Sequence, residues 1–201
     1  MTGPERPRGD TAWFGWDYDG LDAEIRFIFV DHATPTAPER LEGEDGSALE
    51  LEADGPRTIV RAVRPGSLAQ AAWEELYDDV EEGWRTFLHQ LRFYLERHAG
   101  RERRTVFLSG QAAPAAVRAA LDDELSAPVW HESRHQRLVA PAGGPEALIA
   151  LHAKAPLDGA EPAGLWMVVT AYGLDDAAYE AVADRWAAWW TPLVAEPQVT
   201  P

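Results

Sequence analysis

Two stretches decide the fold: Tyr77-Asp78-Asp79-Val80-Glu81-Glu82-Gly83-Trp84-Arg85-Thr86-Phe87-Leu88-His89-Gln90-Leu91 and Tyr179-Glu180-Ala181-Val182-Ala183-Asp184-Arg185-Trp186-Ala187-Ala188-Trp189-Trp190-Thr191-Pro192-Leu193. Tyr, Val and Trp recur at 77, 80 and 84 and again at 179, 182 and 186, an offset of 102 residues, and bulky apolar residues follow at 87, 88 and 91 and at 189, 190 and 193. This spacing draws an apolar stripe down one side of a helix. Each helix follows a β-type run closed by glycine, Thr58–Val63 with Gly66 and Leu165–Tyr172 with Gly173. A strand feeding a helix with an aromatic flank, met twice, predicts a duplicated sheet-and-helix unit.

Outward from these helices the chain reads as α+β. The first long helix is expected over 67–98, with acidic residues early and Arg85, Arg92 and Arg97 late, an order that complements its dipole. At about 1.5 Å per residue it would run roughly 40 Å, enough to cross a whole sheet. The second is expected over 174–194. Strands are expected at 24–30, 47–52, 58–63, 105–109, 147–153 and 165–171, and a short helix from Pro114 to Leu125. Residues 1–11 read as a disordered leader, 126–145 as irregular and 195–201 as a loose tail. The division that follows is a domain over 12–100 and a smaller α+β half-repeat over 105–195.

Composition limits the functions open to the chain. Its 201 residues include nine tryptophans, are 46% hydrophobic and carry a formal charge of −16. That charge disfavours nucleic acid and anionic lipid as partners. With no cysteine there is neither a disulfide nor a thiolate ligand or nucleophile. No stretch approaches the roughly 18 apolar residues that span a bilayer, so no membrane partner and a cytoplasmic location are expected. Lys154 is the single lysine, a compositional bias rather than a device.

Three short strings resemble the SRPBCC, START-like helix-grip superfamily, and within it the bacterial homologues of the heat-shock ATPase activators. They are Trp13-Phe14-Gly15-Trp16, the hairpin ending Gly55-Pro56-Arg57-Thr58-Ile59-Val60, and Gly83-Trp84 with Leu88 and Leu91. The resemblance covers about residues 12–98. It implies a curved antiparallel sheet gripping a long helix, followed here by a smaller degenerate repeat, with an apolar cavity between sheet and helix. The strand-helix opening usual in that family does not precede Trp13. Thr105–Gly110 with Ala113-Pro114-Ala115-Ala116-Val117 resembles it, displaced behind the long helix. It either opens the second repeat or completes the first sheet in a permuted or swapped manner, and an unpaired sheet edge would favour a homodimer.

The expected function is therefore a non-catalytic binding module for an unidentified hydrophobic small molecule, without a cofactor. Trp13, Trp16, Tyr18, Phe27, Phe29, Trp84, Leu88 and Leu91 are its candidate cavity wall. An alternative is an interaction protein, either dimeric or an accessory to a chaperone. His131-Glu132-Ser133-Arg134-His135 spells H-E-x-x-H, which on a helix sets two histidines on one face for zinc. Its flanks lack helical periodicity and its central residues are polar, so a solvated loop is expected and zinc hydrolysis is a minor alternative. Asp17–Gly20 lacks the rest of a calcium loop and reads as a turn.

Overall fold

The computed structural model describes residues 14–64, 74–141 and 146–201. The leader, Trp13 and the first residues of the expected 67–98 helix lie outside them. The described elements form two antiparallel sheets and four α-helices, an α+β protein. Contacts divide the chain into a first unit, Tyr18–Leu88, and a second formed by residues 14–17 with His89–Pro201.

The first unit opens with α1 (Leu21–Arg26), whose Leu21 and Ile25 are buried one turn apart. It runs into a π-type turn, Phe27–Asp31. A strand was expected over 24–30. The apolar run 27–30 satisfies either period, and helical burial at 21 and 25 decides it. Strands β1 (Ala33–Ala37), β2 (Arg40–Gly43), β3 (Ala48–Asp54) and β4 (Arg57–Val63) then form an antiparallel meander. The β3–β4 hairpin turns at Gly55-Pro56, where Gly55 takes φ 58°, a conformation open to glycine at little cost.

Register sorts the side chains of this sheet onto two faces, because directly paired residues share a face. One face carries Arg40, Glu42, Glu50, Arg61 and Glu52, joined by Arg40–Glu42, Arg40–Glu50 and Arg61–Glu52 ion pairs. The other carries Leu41 opposite Leu49, Leu49 opposite Ala62 and Leu51 opposite Val60. This apolar face is only half covered, and Leu51 remains 45% exposed.

The long helix α2 spans Glu74–Phe93 and ends in a π-type turn, Tyr94–His98. The division between the units falls within it. In the second unit, β5 (Arg103–Ala112) leads into α3 (Pro114–Glu124), followed by β6 (Val129–Glu132), β7 (Gln136–Val139), β8 (Ala147–Ala153), β9 (Ala163–Tyr172), α4 (Asp176–Trp190) and β10 (Ala195–Thr200). The sheet order is β10-β5-β9-β8-β7-β6, antiparallel throughout. Thus β5 opens the second sheet rather than completing the first. The expected irregular stretch contains the β6–β7 hairpin, and the expected loose tail contains β10, which pairs along the outer edge of β5.

Alternation along β8 and β9 separates two apolar layers. Ile149, Leu151, Met167 and Val169 face α3 and α4, where Val117, Leu121, Trp186 and Trp190 are buried. Tyr179 donates to the Thr105 carbonyl at 2.6 Å, and Trp190 Nε1 donates to the Ser109 carbonyl at 3.1 Å. Each large ring therefore buries its carbon surface without stranding its polar atom. Leu138, Leu148 and Tyr172 face the opposite way and pack with Phe93. Among the described residues, no helix is long and apolar enough to cross a membrane.

Candidate functional site

In the first unit, the π-type turn, the sheet and α2 enclose a hollow of about 230 Å³. Phe29 and Trp84 line it, with their rings edge to face at 6.3 Å. Leu41, Leu49 and Ala62 bring the apolar sheet face to the same space. The winding after α1 is what delivers Ile28 and Phe29 here, since the π-type turn re-aims side chains that a regular continuation would place elsewhere.

The polar end of the hollow comes from the β2–β3 turn and the end of β4. Asp45 accepts from the Ser47 backbone N–H at 2.9 Å and from Ser47 Oγ at 2.6 Å. Those two bonds hold its carboxyl below the usual carboxylate range, with a smaller contribution from the Arg64 charge. Gly43 permits this turn, because a β-carbon there would meet Ser47 Oγ at 2.7 Å and the Asp45 carboxylate at 2.8 Å. Arg64 completes the wall, with one guanidinium nitrogen fully buried.

Of the eight expected cavity residues, the structure brings Phe29 and Trp84 together at this hollow. Phe27 is 56% exposed and packs on the His32 ring at 4.1 Å. Trp16 belongs to the second unit and stacks on Phe107 at 4.4 Å. Tyr18, Leu88 and Leu91 are half-buried outside its lining, and Trp13 lies outside the described residues. The wall residues 41, 45, 49 and 64 were absent from the sequence expectation. Only Leu49 had a signal, in the alternation of Leu49 and Leu51 with Glu50 and Glu52, which marks one sheet face as apolar.

The H-E-x-x-H string lies across the β6–β7 hairpin, so its residues do not share a helical face. His131 stacks on His89 at 4.2 Å, and His135 Nδ1 lies 3.3 Å from the Ala153 carbonyl. Glu132 is engaged by Arg118 at 2.8 Å and by Arg137. Burial, reinforced by His131 and Arg92, pushes the His89 imidazole down to about 4. Among the described residues, no group of three metal-ligating side chains converges.

A second hollow of about 230 Å³ lies in the other unit, where Val182 and Trp186 of α4 meet Ala147 and Ile149 of β8. Its two charged residues, Glu124 and Arg185, bind each other at 2.9 Å. Comparison of the chain with family models, with curated proteins and with solved structures returns no match.

Proposed function

We propose that this protein is a non-catalytic binding module for an apolar small molecule, built on the helix-grip plan. The observation that carries the proposal is the 230 Å³ hollow walled by Phe29, Trp84 and a sheet face that the fold leaves half covered. Ligand sites are concave and mainly apolar, with few polar groups, and this hollow has that composition on a small scale.

The order of elements supports the helix-grip part of the reading. In the second unit a strand-helix opening, a four-strand meander and a closing helix follow one another as β5-α3-β6-β7-β8-β9-α4. Tyr179, Trp186 and Trp190 of that closing helix are buried in the layer they share with the sheet. The first unit has a sheet followed by a long helix with Trp84 at the corresponding step of the repeated stripe. These orders are what supports reading the chain on the pattern that the SRPBCC resemblance implies.

The test is binding of a neutral fluorescent probe, N-phenyl-1-naphthylamine, to the full chain. Saturable binding is expected, and Ala62→Trp, which fills the hollow, is expected to weaken it at least tenfold with the circular dichroism unchanged. Equal binding by parent and variant would overturn this assignment of the site. A second reading, as an interaction protein that dimerises or assists a chaperone, draws on Phe27 and Val30, both on the π-type turn and 56% and 59% exposed. It predicts self-association or partner capture that Ala62→Trp leaves intact and Phe27→Ser abolishes.

A further inference from the structure

We propose that this chain forms a symmetric dimer through the outer edge of β4, where a second copy adds its own β4 antiparallel with Val60 opposite Val60. This inference goes beyond the small-molecule reading and stands independently of it.

Comparison of the sheet ends selects the edge. An edge strand offers unpaired N–H and C=O groups, and proteins blunt such edges with proline, with bulges or by keeping them short. Among the described residues the two sheets end on β1, β4, β10 and β6. Strand β1 carries Pro35, with a register shift between Pro35 and Ala37. Strand β10 carries Pro197, with a shift between Ala195 and Gln198. Strand β6 has four residues and a shift between Val129 and His131. Strand β4 has none of these devices. Its seven residues include no proline and pair with β3 without a break in register.

Hydrogen-bond parity identifies the groups on that edge. The Leu51 N–H donates to the Glu39 carbonyl at 2.8 Å, so Leu51 turns its backbone away from β4 and toward the β1–β2 turn. Val60, directly opposite Leu51, is therefore in a non-hydrogen-bonded pair and turns its own N–H and C=O outward, as do Thr58 and Ala62 two positions away. Among the described residues no strand pairs with them.

Charge then selects the register. An antiparallel ladder between two copies needs these outward residues to face one another. With Val60 on the two-fold axis, Thr58 faces Ala62 of the second copy, Arg61 faces Ile59 and Arg57 faces Val63. The neighbouring registers set Arg61 opposite Arg57 or opposite its own counterpart, and like charges directly opposed are destabilising. Glu52 of the same chain already neutralises Arg61. On the other face Leu51, 45% exposed, and Val60 run on into Val60 and Leu51 of the second copy, which extends the half-covered apolar row across the axis. Such an interface is self-complementary and closes at two copies.

Sedimentation equilibrium of the full chain from 5 to 200 μM in 150 mM NaCl is expected to show the mass rising from that of one chain toward that of two. Val60→Pro removes one outward N–H without taking a bond from β3, and is expected to hold the mass at one chain with the circular dichroism unchanged. Phe27→Ser is expected to leave the dimer intact. A parent that stays single throughout, a dimer that survives in folded Val60→Pro, or one lost in Phe27→Ser would overturn the inference. A second readout does not depend on how Val60→Pro folds. The chain has no cysteine, so Val60→Cys and Thr58→Cys each carry one thiol. Opposed Cα atoms in such a ladder lie about 5.5 Å apart, within disulfide reach, whereas the two copies of position 58 would lie roughly 13 Å apart. Oxidation is expected to join Val60→Cys into covalent dimers at least tenfold faster than Thr58→Cys. Equal rates would overturn the register, and the proposed interface with it.

Discussion

At the scale of single residues, the buried polar groups of the second unit make stability sensitive to acid. His152 is 4% exposed and stacks on Trp166 at 5.0 Å, nearly parallel. Burial pushes its imidazole down to about 3, against about 6.5 in an unfolded chain. The folded form therefore holds it neutral, and its contribution is complete above pH 6.5. As pH falls from 6.5 toward 3 the unfolded chain takes up the proton first, and stability drops with each pH unit. His89, pushed to about 4, acts in the same direction over a narrower window. Urea-unfolding midpoints at pH 7.5 and pH 5 are expected to show the loss, and His152→Gln is expected to reduce it. An unchanged slope in that variant would show that His152 is not a source of the dependence.

At the scale of elements, α4 is held by its aromatic flank. Trp190 has no exposed surface and donates to the Ser109 carbonyl of β5, so Trp190→Ala removes both a large apolar body and the partner of a carbonyl. The expected cost is about 3–5 kcal/mol in chemical denaturation. Trp189→Ala, at a half-buried position, is expected to cost less. This helix was legible because a bulky apolar residue at every helical turn, Tyr179, Val182, Trp186 and Trp190, is a signal that depends on its own sequence alone. The β3–β4 hairpin was legible for the same reason, since Gly55 marks the turn and alternation marks the faces. Other elements were not. The strands β6 and β7 are four residues each and include Trp, His, Glu, Gln and Arg, too short and too polar to show a period. In β10, Pro197 argues against a strand by local propensity, yet it sits within the irregular register between Ala195 and Gln198 on the outer edge of the sheet. The hollow was legible in Phe29 and Trp84 but not in Arg64, because a cation at the end of a strand has no periodicity to announce it.

At the scale of the whole molecule, charge dominates. A formal −16 over 201 residues stores self-repulsion that screening relieves. The exposed ion pairs of the first sheet, such as Arg61–Glu52, are worth about 0–1 kcal/mol each and lose little to salt. The melting temperature is therefore expected to rise as NaCl increases from 10 to 500 mM at pH 7.5. A fall would mean that local pairs outweigh the long-range field. The second unit also draws on both ends of the sequence. Arg103, 8% exposed, donates to the Phe14 and Gly15 carbonyls at 3.1 Å each and lies 3.4 Å from Asp17. Asp17 in turn accepts from the Thr105 backbone at 3.1 Å, while Trp16 covers Phe107. Anyone who excises the C-terminal half at residue 89 or 100 therefore removes the carbonyls that solvate a sequestered guanidinium and bares an aromatic ring. A fragment intended to stand alone must have residues 14–17 grafted back, as a tether or as an added peptide.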